Sequence, residues 1–541
     1  MGPVVERISR KVRGLEVVCR MKISELVERN ARRNPGREAL VQDDVRLTYA
    51  QLAERVMHIA SCLANLGVEK GDRILVQMGN LIPYVELYFA APLLGAILVP
   101  LNVRLAPAEM PYFIEHSKAC CLVADLGIAE KLTAQISDWG AVQERVVVGG
   151  DLEGWRQYHL LQGRDDWKPP PYDRCAENDV AYIFYTSGTT GRPKGAMWSN
   201  RQVCEHLITL QLDLPLKQDD CSIVAVNLSH GASTLPTLHQ TFFVGGRVEL
   251  YPGPKFIPEE FADKCMVGNA TTTLLVPTML SRMLRLGGNK GAWFKKFKYI
   301  KYVAAKMLSD DLNRAVQLLG MRLTQGYGST ETVGGVTCLS PWDHDPNRPG
   351  LEQRLSSSGK EYCNVRVAIM GEDGRLLSAG EIGEIVVRAD KTFEGYWRDP
   401  AATARAYREG WLLTGDLGRL DEEGYLYVVD RISDMIITGG ENVYPREVED
   451  VLADMQGILE CAIVGVPDPE WGEAVWAFVV PVPDFEVNTS VWADLCSQRL
   501  AGYKRPKHWQ LCNELPKNHM GKVQKTLLRE NALKFLEDEE R

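Results

Sequence analysis

The chain has 541 residues, more than one ordinary hydrophobic core sustains, so at least two domains are expected. Hydrophobic residues at 45% and charged residues at 25% fit a soluble globular protein. A formal net charge of −9 excludes a general nucleic-acid binder, which would carry a basic stripe, but leaves room for a local cationic patch around a small anion.

In residues 1–20, basic side chains alternate with Val5, Ile8, Val12 and Leu15, while Pro3 and Gly14 weaken any helix. This predicts an N-terminal arm over 1–22 rather than a membrane-surface helix. No signal-peptide core follows, which predicts a cytoplasmic protein. Ile23 to Pro35 reads as a helix ending at proline, and Thr48 to Gly67 as a helix with a capping threonine and a terminal glycine. RILVQMG, AILVPLN, CLVAD and RVVVGG read as buried strands between helices. The longest apolar run, Leu87 to Leu101, has 15 residues, short of the ~20 that cross a bilayer. It predicts a core helix feeding a buried strand, and no integral membrane contact. The alternation predicts α/β architecture with mostly parallel sheets. Near Val428 to Glu449 the texture changes to a smaller α+β unit: helix 445–455, strands ECAIVGV and AVWAFVV, helix 489–500 and strand HWQLC. The boundary is set near Arg431, giving a large domain over 23–431 and a small one over 432–541. Thirteen scattered cysteines with no C-x-x-C pair read as reduced, buried thiols.

Five segments carry chemistry. YTSGTTGRPKG, Tyr185 to Gly195, packs three glycines, four Ser/Thr hydroxyls and Lys194 into eleven residues after the strand-like Val180 to Phe184. Such a loop is either a surface turn or a phosphate clamp in which backbone N–H groups, hydroxyls and a cation converge on an anion. It is not the common P-loop, whose spacing differs. QGYGSTE, Gln325 to Glu331, offers a flat ring between glycines and a carboxylate suited to Mg²⁺, or an ordinary strand-to-helix turn. TGD, Thr414 to Asp416, reads as a loop carboxylate for a ribose diol or as a turn aspartate. DRISDMIITGGENVYPREVE, Asp430 to Glu449, contains Arg431, Ser433 and GGENVYP, Gly439 to Pro445. LPKNHMGKVQK, Leu515 to Lys525, puts Lys522 in a loop, where a surface lysine is the ordinary reading.

As an ordered set over about Ile23 to Leu528, these segments resemble the superfamily of adenylate-forming enzymes: acyl- and aryl-CoA ligases, adenylation domains of peptide synthetases, and beetle luciferases. The resemblance implies a large N-terminal domain with a small mobile α+β C-terminal domain. It also implies an acid–thiol ligase that uses ATP and Mg²⁺ to make an acyl-adenylate, then rotates its small domain and passes the acyl group to coenzyme A. By this resemblance Thr186, Ser187, Gly188, Thr189, Thr190 and Lys194 would hold phosphates, and Tyr327 and Gly328 would meet adenine. Thr330 and Glu331 would serve phosphate and Mg²⁺, and Asp416 and Arg431 the ribose. Lys522 would bridge the acid and the α-phosphate, an electrostatic and positioning role. The acyl pocket and gate would involve His230, Gly231, Ala304, Ala305, Lys306 and Gly335. Gly439, Gly440, Trp471, Tyr503, Arg505 and Lys507 would meet coenzyme A, a ring for adenine and cations for phosphate. Two positions depart from the pattern: AAKML stands where relatives often have Gly-Gly-Ala-Pro-Leu, and the hinge position is Ser433 rather than Asp or Lys. Apart from Lys306, the pocket segments are apolar, small or uncharged, which points to an apolar aryl, cyclic or fatty monocarboxylate. A carrier-protein acceptor and a luciferase-like oxygenase are the alternatives, and a homodimer is open beside a monomer.

Overall fold

The computed structural model describes residues 21–161, 175–186, 192–253, 255–303, 307, 309–517 and 523–539. The arm over 1–20 lies outside the described residues. The first predicted helix forms over Glu25–Arg33 and the second over Tyr49–Asn65, where Thr48 and Gln51 make a reciprocal capping box. The apolar run splits as expected into a helix, Ile82–Leu94, and a strand, Ile97–Pro100, separated by the left-handed Gly95.

Two large sheets carry Lys194 and Tyr327. The first has eight strands in the order Gly395–Tyr396, Lys194–Ser199, Val180–Thr186, Ile97–Pro100, Arg73–Gln77, Cys121–Asp125, Glu144–Val148 and Arg156–Gln157. Its pairings are parallel except where Lys194–Ser199 turns back beside Val180–Thr186 and pairs with Gly395–Tyr396. The second has nine strands, with a parallel centre made of Glu38–Gln42, Arg247–Leu250, Cys221–Val224, Thr272–Leu275, Tyr299–Tyr302 and Leu323–Ser329. The antiparallel strand Gly334–Leu339 follows Leu323–Ser329. The central strands are largely buried, Cys221–Val224 and Thr272–Leu275 along their whole length.

A third sheet, antiparallel, joins Arg366–Met370, Gly383–Arg388, Tyr407–Arg408, Trp411–Leu420 and Leu426–Arg431. It puts Asp416 inside a ten-residue strand, correcting the loop expected for TGD. A short 3-10 turn, Ile432–Asp434, then leads to a fourth sheet built from Ile436–Thr438, Glu441–Val443, Ile458–Asp468, Gly472–Pro481 and His508–Leu511. Helices Pro445–Ala453 and Thr489–Arg499 pack on it with a core of their own around Ile463, Val475 and Trp492. The described cysteines are free thiols, most of them buried, but Cys363 is exposed.

Candidate active site

The strand Val180–Thr186 and the strand Lys194–Ser199 form a hairpin stem with Thr186 opposite Lys194. Gly195 is obligatory in this stem, because a Cβ there would lie 2.7 Å from Ile183 Cγ2. Ser187, Gly188, Thr189 and Thr190 lie outside the described residues. Thr186 Oγ1 donates to the Lys194 carbonyl at 3.5 Å.

Lys194 Nζ stands 5.2 Å from the centre of the Tyr396 ring, and the Tyr396 hydroxyl donates to Glu331 Oε1 at 2.8 Å. Burial first, and then the charge of Glu331, pushes the Tyr396 phenol above its ordinary pKa, so it stays a donor. The Phe393 amide donates to the Glu331 carbonyl at 2.9 Å, anchoring the same turn from the backbone. Thr330 is held by its carbonyl, which accepts from Trp198 Nε1 at 2.8 Å.

One strand back, the Tyr327 hydroxyl donates to Asp416 Oδ2 at 2.7 Å, while Arg431 Nε lies 3.2 Å from Asp416 Oδ1. Asp416 and Arg431 face each other across adjacent strands, so register makes the pair. Burial, then the Asp416 charge, raises the Tyr327 phenol. Gly328 lets Leu323–Ser329 and Gly334–Leu339 approach; a Cβ there would collide with the Gly334 carbonyl.

Tyr396 thus joins the hairpin cation to the Glu331 carboxylate, and a second carboxylate, Asp416, is bracketed by a phenol and a guanidinium. The profile of the AMP-binding enzyme family matches residues 27–397, and that of the AMP-binding enzyme C-terminal domain matches 447–522. The chain belongs to the AMP-binding enzyme family. It is 34% identical to a feruloyl-CoA synthase of Amycolatopsis sp over 92% of this chain and 96% of that one. It is 32% identical to the long-chain-fatty-acid–CoA ligase FadD13 of Mycobacterium tuberculosis over 94% and 98% of the two chains. The crystal structure of ATP-bound MatB from Rhodopseudomonas palustris superposes with a TM-score of 0.83 at 30% identity, covering 94% of this chain and 99% of that one.

In this AMP-binding enzyme, His230 opens the short turn Gly231–Ser233, and its Nε2 lies 3.4 Å from Asn102 Nδ2. Gly231 rests against the Trp198 indole, with no room for a Cβ. Gly335 faces Tyr362, and its carbonyl accepts from Lys391 Nζ at 2.7 Å. Ala304, Ala305 and Lys306 lie outside the described residues, as does Lys522. The chain on either side of 518–522 is pinned by an antiparallel bridge between Lys517 and Val523 and by the Gln524 amide on the Pro516 carbonyl at 2.8 Å.

In the small C-terminal unit, Lys507 Nζ lies 3.4 Å over the Trp471 ring, and the Gly439 amide donates to the Trp471 carbonyl at 2.8 Å. Gly440 has φ +83° and open space around its Cα. Tyr503 packs partly against the local core. Arg505 does not join Trp471: its guanidinium donates to the carbonyls of Leu500 and Ser497, both at 3.0 Å, closing the helix Thr489–Arg499. Ser433 sits in the Ile432–Asp434 turn, where Arg529 Nη2 reaches the Ser433 carbonyl at 3.4 Å and Asp434 Oδ1 at 3.3 Å.

Sequence reading missed Tyr396, Trp198 and Lys391. Tyr396 had a signal in the FEGYW run, but its partner Glu331 is 65 residues away. Trp198 and Lys391 had none, since a buried indole and a buried ammonium are chosen by neighbours distant in sequence.

Proposed function

We propose that this protein activates a carboxylic acid with ATP and transfers the acyl group to the thiol of coenzyme A. The observation that carries the reading is the Asp416 bracket, Tyr327 on one oxygen and Arg431 on the other, beside the Lys194–Tyr396–Glu331 chain. In the first step a carboxylate oxygen attacks the α-phosphorus, the bond to the β-phosphate oxygen breaks, and pyrophosphate leaves. In the second the thiol attacks the acyl carbon and AMP leaves.

Lys194 and Thr186 would hold phosphate oxygens with Ser187, Gly188, Thr189 and Thr190, and Lys522 would bridge the acid and the α-phosphate. Tyr327 and Gly328 would present a face to adenine, and Asp416 and Arg431 would take the ribose hydroxyls. Glu331 and Thr330 suit Mg²⁺, which uses one or two protein oxygens beside phosphate and water, and Tyr396 leaves the carboxylate oriented for it. Bound there, the ion would neutralise charge on the phosphates.

Free coenzyme A is the favoured acceptor because Trp471 and Lys507 offer a ring and a cation side by side, near Gly439 and the open Gly440. Arg505 is a weaker member of that patch, being spent on a helix end. The division at Arg431, rotation about Ser433 and a cytoplasmic location belong to the same reading. The described residues contain no helix long and apolar enough to cross a membrane. The test is pyrophosphate release across a panel of aryl and fatty acids, with and without coenzyme A. Release that needs an acid, and thioester that needs coenzyme A, supports the reading. Thioester only on a carrier protein would move the acceptor, and ATP turnover indifferent to acid would end it.

A further inference from the structure

The helix Asn200–Asp213 starts at a capping box between Ser199 and Gln202, directly after the strand that carries Lys194. Val203, His206, Leu207 and Leu210 fall on its buried stripe. Four apolar or small residues would satisfy that stripe, yet His206 stands there only 1% exposed. Its ring packs against the backbone of Gly334, where a Cβ would come 2.5 Å from Nε2. The imidazole therefore takes the room a side chain at 334 would use, at the start of the strand whose next residue, Gly335, belongs to the acyl-pocket segment. The Gly231–Ser233 turn packs on this same strand.

His206 Nδ1 is buried and has no hydrogen-bond partner among the described residues. Ser229 Oγ, next to His230 in the gate segment, is also buried without a partner among the described residues. Buried polar atoms cost stability unless something meets them, so two orphans around one segment need an explanation. Lys391 donates to the carbonyls of Thr332 and Gly335, which flank Gly334, at 2.9 and 2.7 Å. Lys301 donates to Pro236 and Gln240 behind the same turn. Burial, then the charges of these two lysines, holds His206 well below its ordinary pKa, so the ring is neutral at pH 7. Both neighbouring charges are lysines, and among the described residues nothing meets His206 Nδ1.

We propose that the acid activated here carries an oxygen-bearing polar group, a hydroxyl or a second carboxylate, at the end remote from the reacting carboxylate, and that His206 receives it. This rests on the acid-activation reading above and refines the apolar monocarboxylate expected from sequence. A buried site built to hydrogen-bond a substrate group rejects the analogue that lacks it, because its own polar atoms are then left unpaired.

The experiment compares matched acids at saturating ATP: hexanoate, 6-hydroxyhexanoate and hexanedioate; cinnamate, 4-hydroxycinnamate and 4-carboxycinnamate. Wild type should favour a polar-ended member of at least one series by tenfold or more in kcat/KM, carried by KM. Whether the hydroxyl or the carboxylate wins names the group. His206→Leu should erase the preference, and His206→Asn, which keeps a polar atom near the Nδ1 position, should restore part of it. Equal or better use of the plain acids by wild type overturns the inference while leaving acid activation intact, and needs no variant to fold. A preference that survives His206→Leu overturns the assignment to His206. Pyrophosphate release with no acid at all would remove the activation reading and this inference with it.

Discussion

The Tyr396 hydroxyl donates to Glu331 while its ring lies beside Lys194, so one phenol ties the Mg²⁺-binding candidate to the phosphate-binding candidate. Tyr396→Phe keeps the ring and removes only the hydrogen bond. A hydrogen bond to a charged group contributes roughly 1.5–3 kcal/mol. The variant should lose about tenfold in kcat/KM for ATP and need more Mg²⁺ for half-maximal rate. A Mg²⁺ titration superimposable on wild type would show that the tether is idle.

Asp416→Asn should raise the KM for ATP on the order of tenfold, since the amide offers one acceptor where the carboxylate engages both Tyr327 and Arg431. Tyr327→Phe should cost less, because the ring face remains. Unchanged ATP affinity in Asp416→Asn, by calorimetry, would detach Asp416 from the nucleotide.

Lys507 sits on the face of Trp471, and both should matter to the acceptor alone. Trp471→Ala and Lys507→Ala should raise the KM for coenzyme A severalfold and leave pyrophosphate release unaltered. Arg505→Ala should instead lower Tm, because Arg505 closes a helix end. If Arg505→Ala changes coenzyme A kinetics and not Tm, its assignment to the helix end is wrong.

On the proposed reading, Lys522 and Gly440 serve different steps. Lys522→Ala should cripple adenylate formation by about 10²–10³ yet still convert supplied acyl-adenylate with coenzyme A. Gly440→Leu should do the reverse and cost some stability as well, since φ is +83°. Equal loss of both steps in both variants would rule out two working orientations.

Lys391 is pushed down from the ordinary 10.5 to about 7 by burial. The unfolded chain keeps that proton up to about 10.5 and the folded chain releases it near 7, so between those values the unfolded state binds more protons. Stability from this site therefore rises with pH in that window, with a slope of at most about 1.4 kcal/mol per pH unit, and is flat below about 7. Denaturant titrations of wild type and Lys391→Met from pH 6 to 9.5 should diverge upward for wild type above pH 7. Parallel curves would mean that Lys391 stays charged when folded.

Apolar strands alternating with capped helices are enough to reveal the α/β class of this protein, while the glycine–hydroxyl–lysine loop, QGYGSTE and TGD, each open to an ordinary turn reading by itself, become legible as an ordered set that resembles a known family. Local chemistry suffices for that, because turns, caps and phosphate loops are satisfied by near neighbours. Tertiary structure decided which groups meet. Tyr327 and Asp416 are 89 residues apart, and Trp198 and Thr330 are 132 apart. No periodicity marks such pairs; strand register and the folding of the sheets bring them into contact. The strand under Asp416, the helix end that claims Arg505, and the seat of His206 on Gly334 are likewise products of packing. A side chain's neighbours across a sheet or a helix face are set by the whole fold, and a short stretch of sequence contains only one side of each contact.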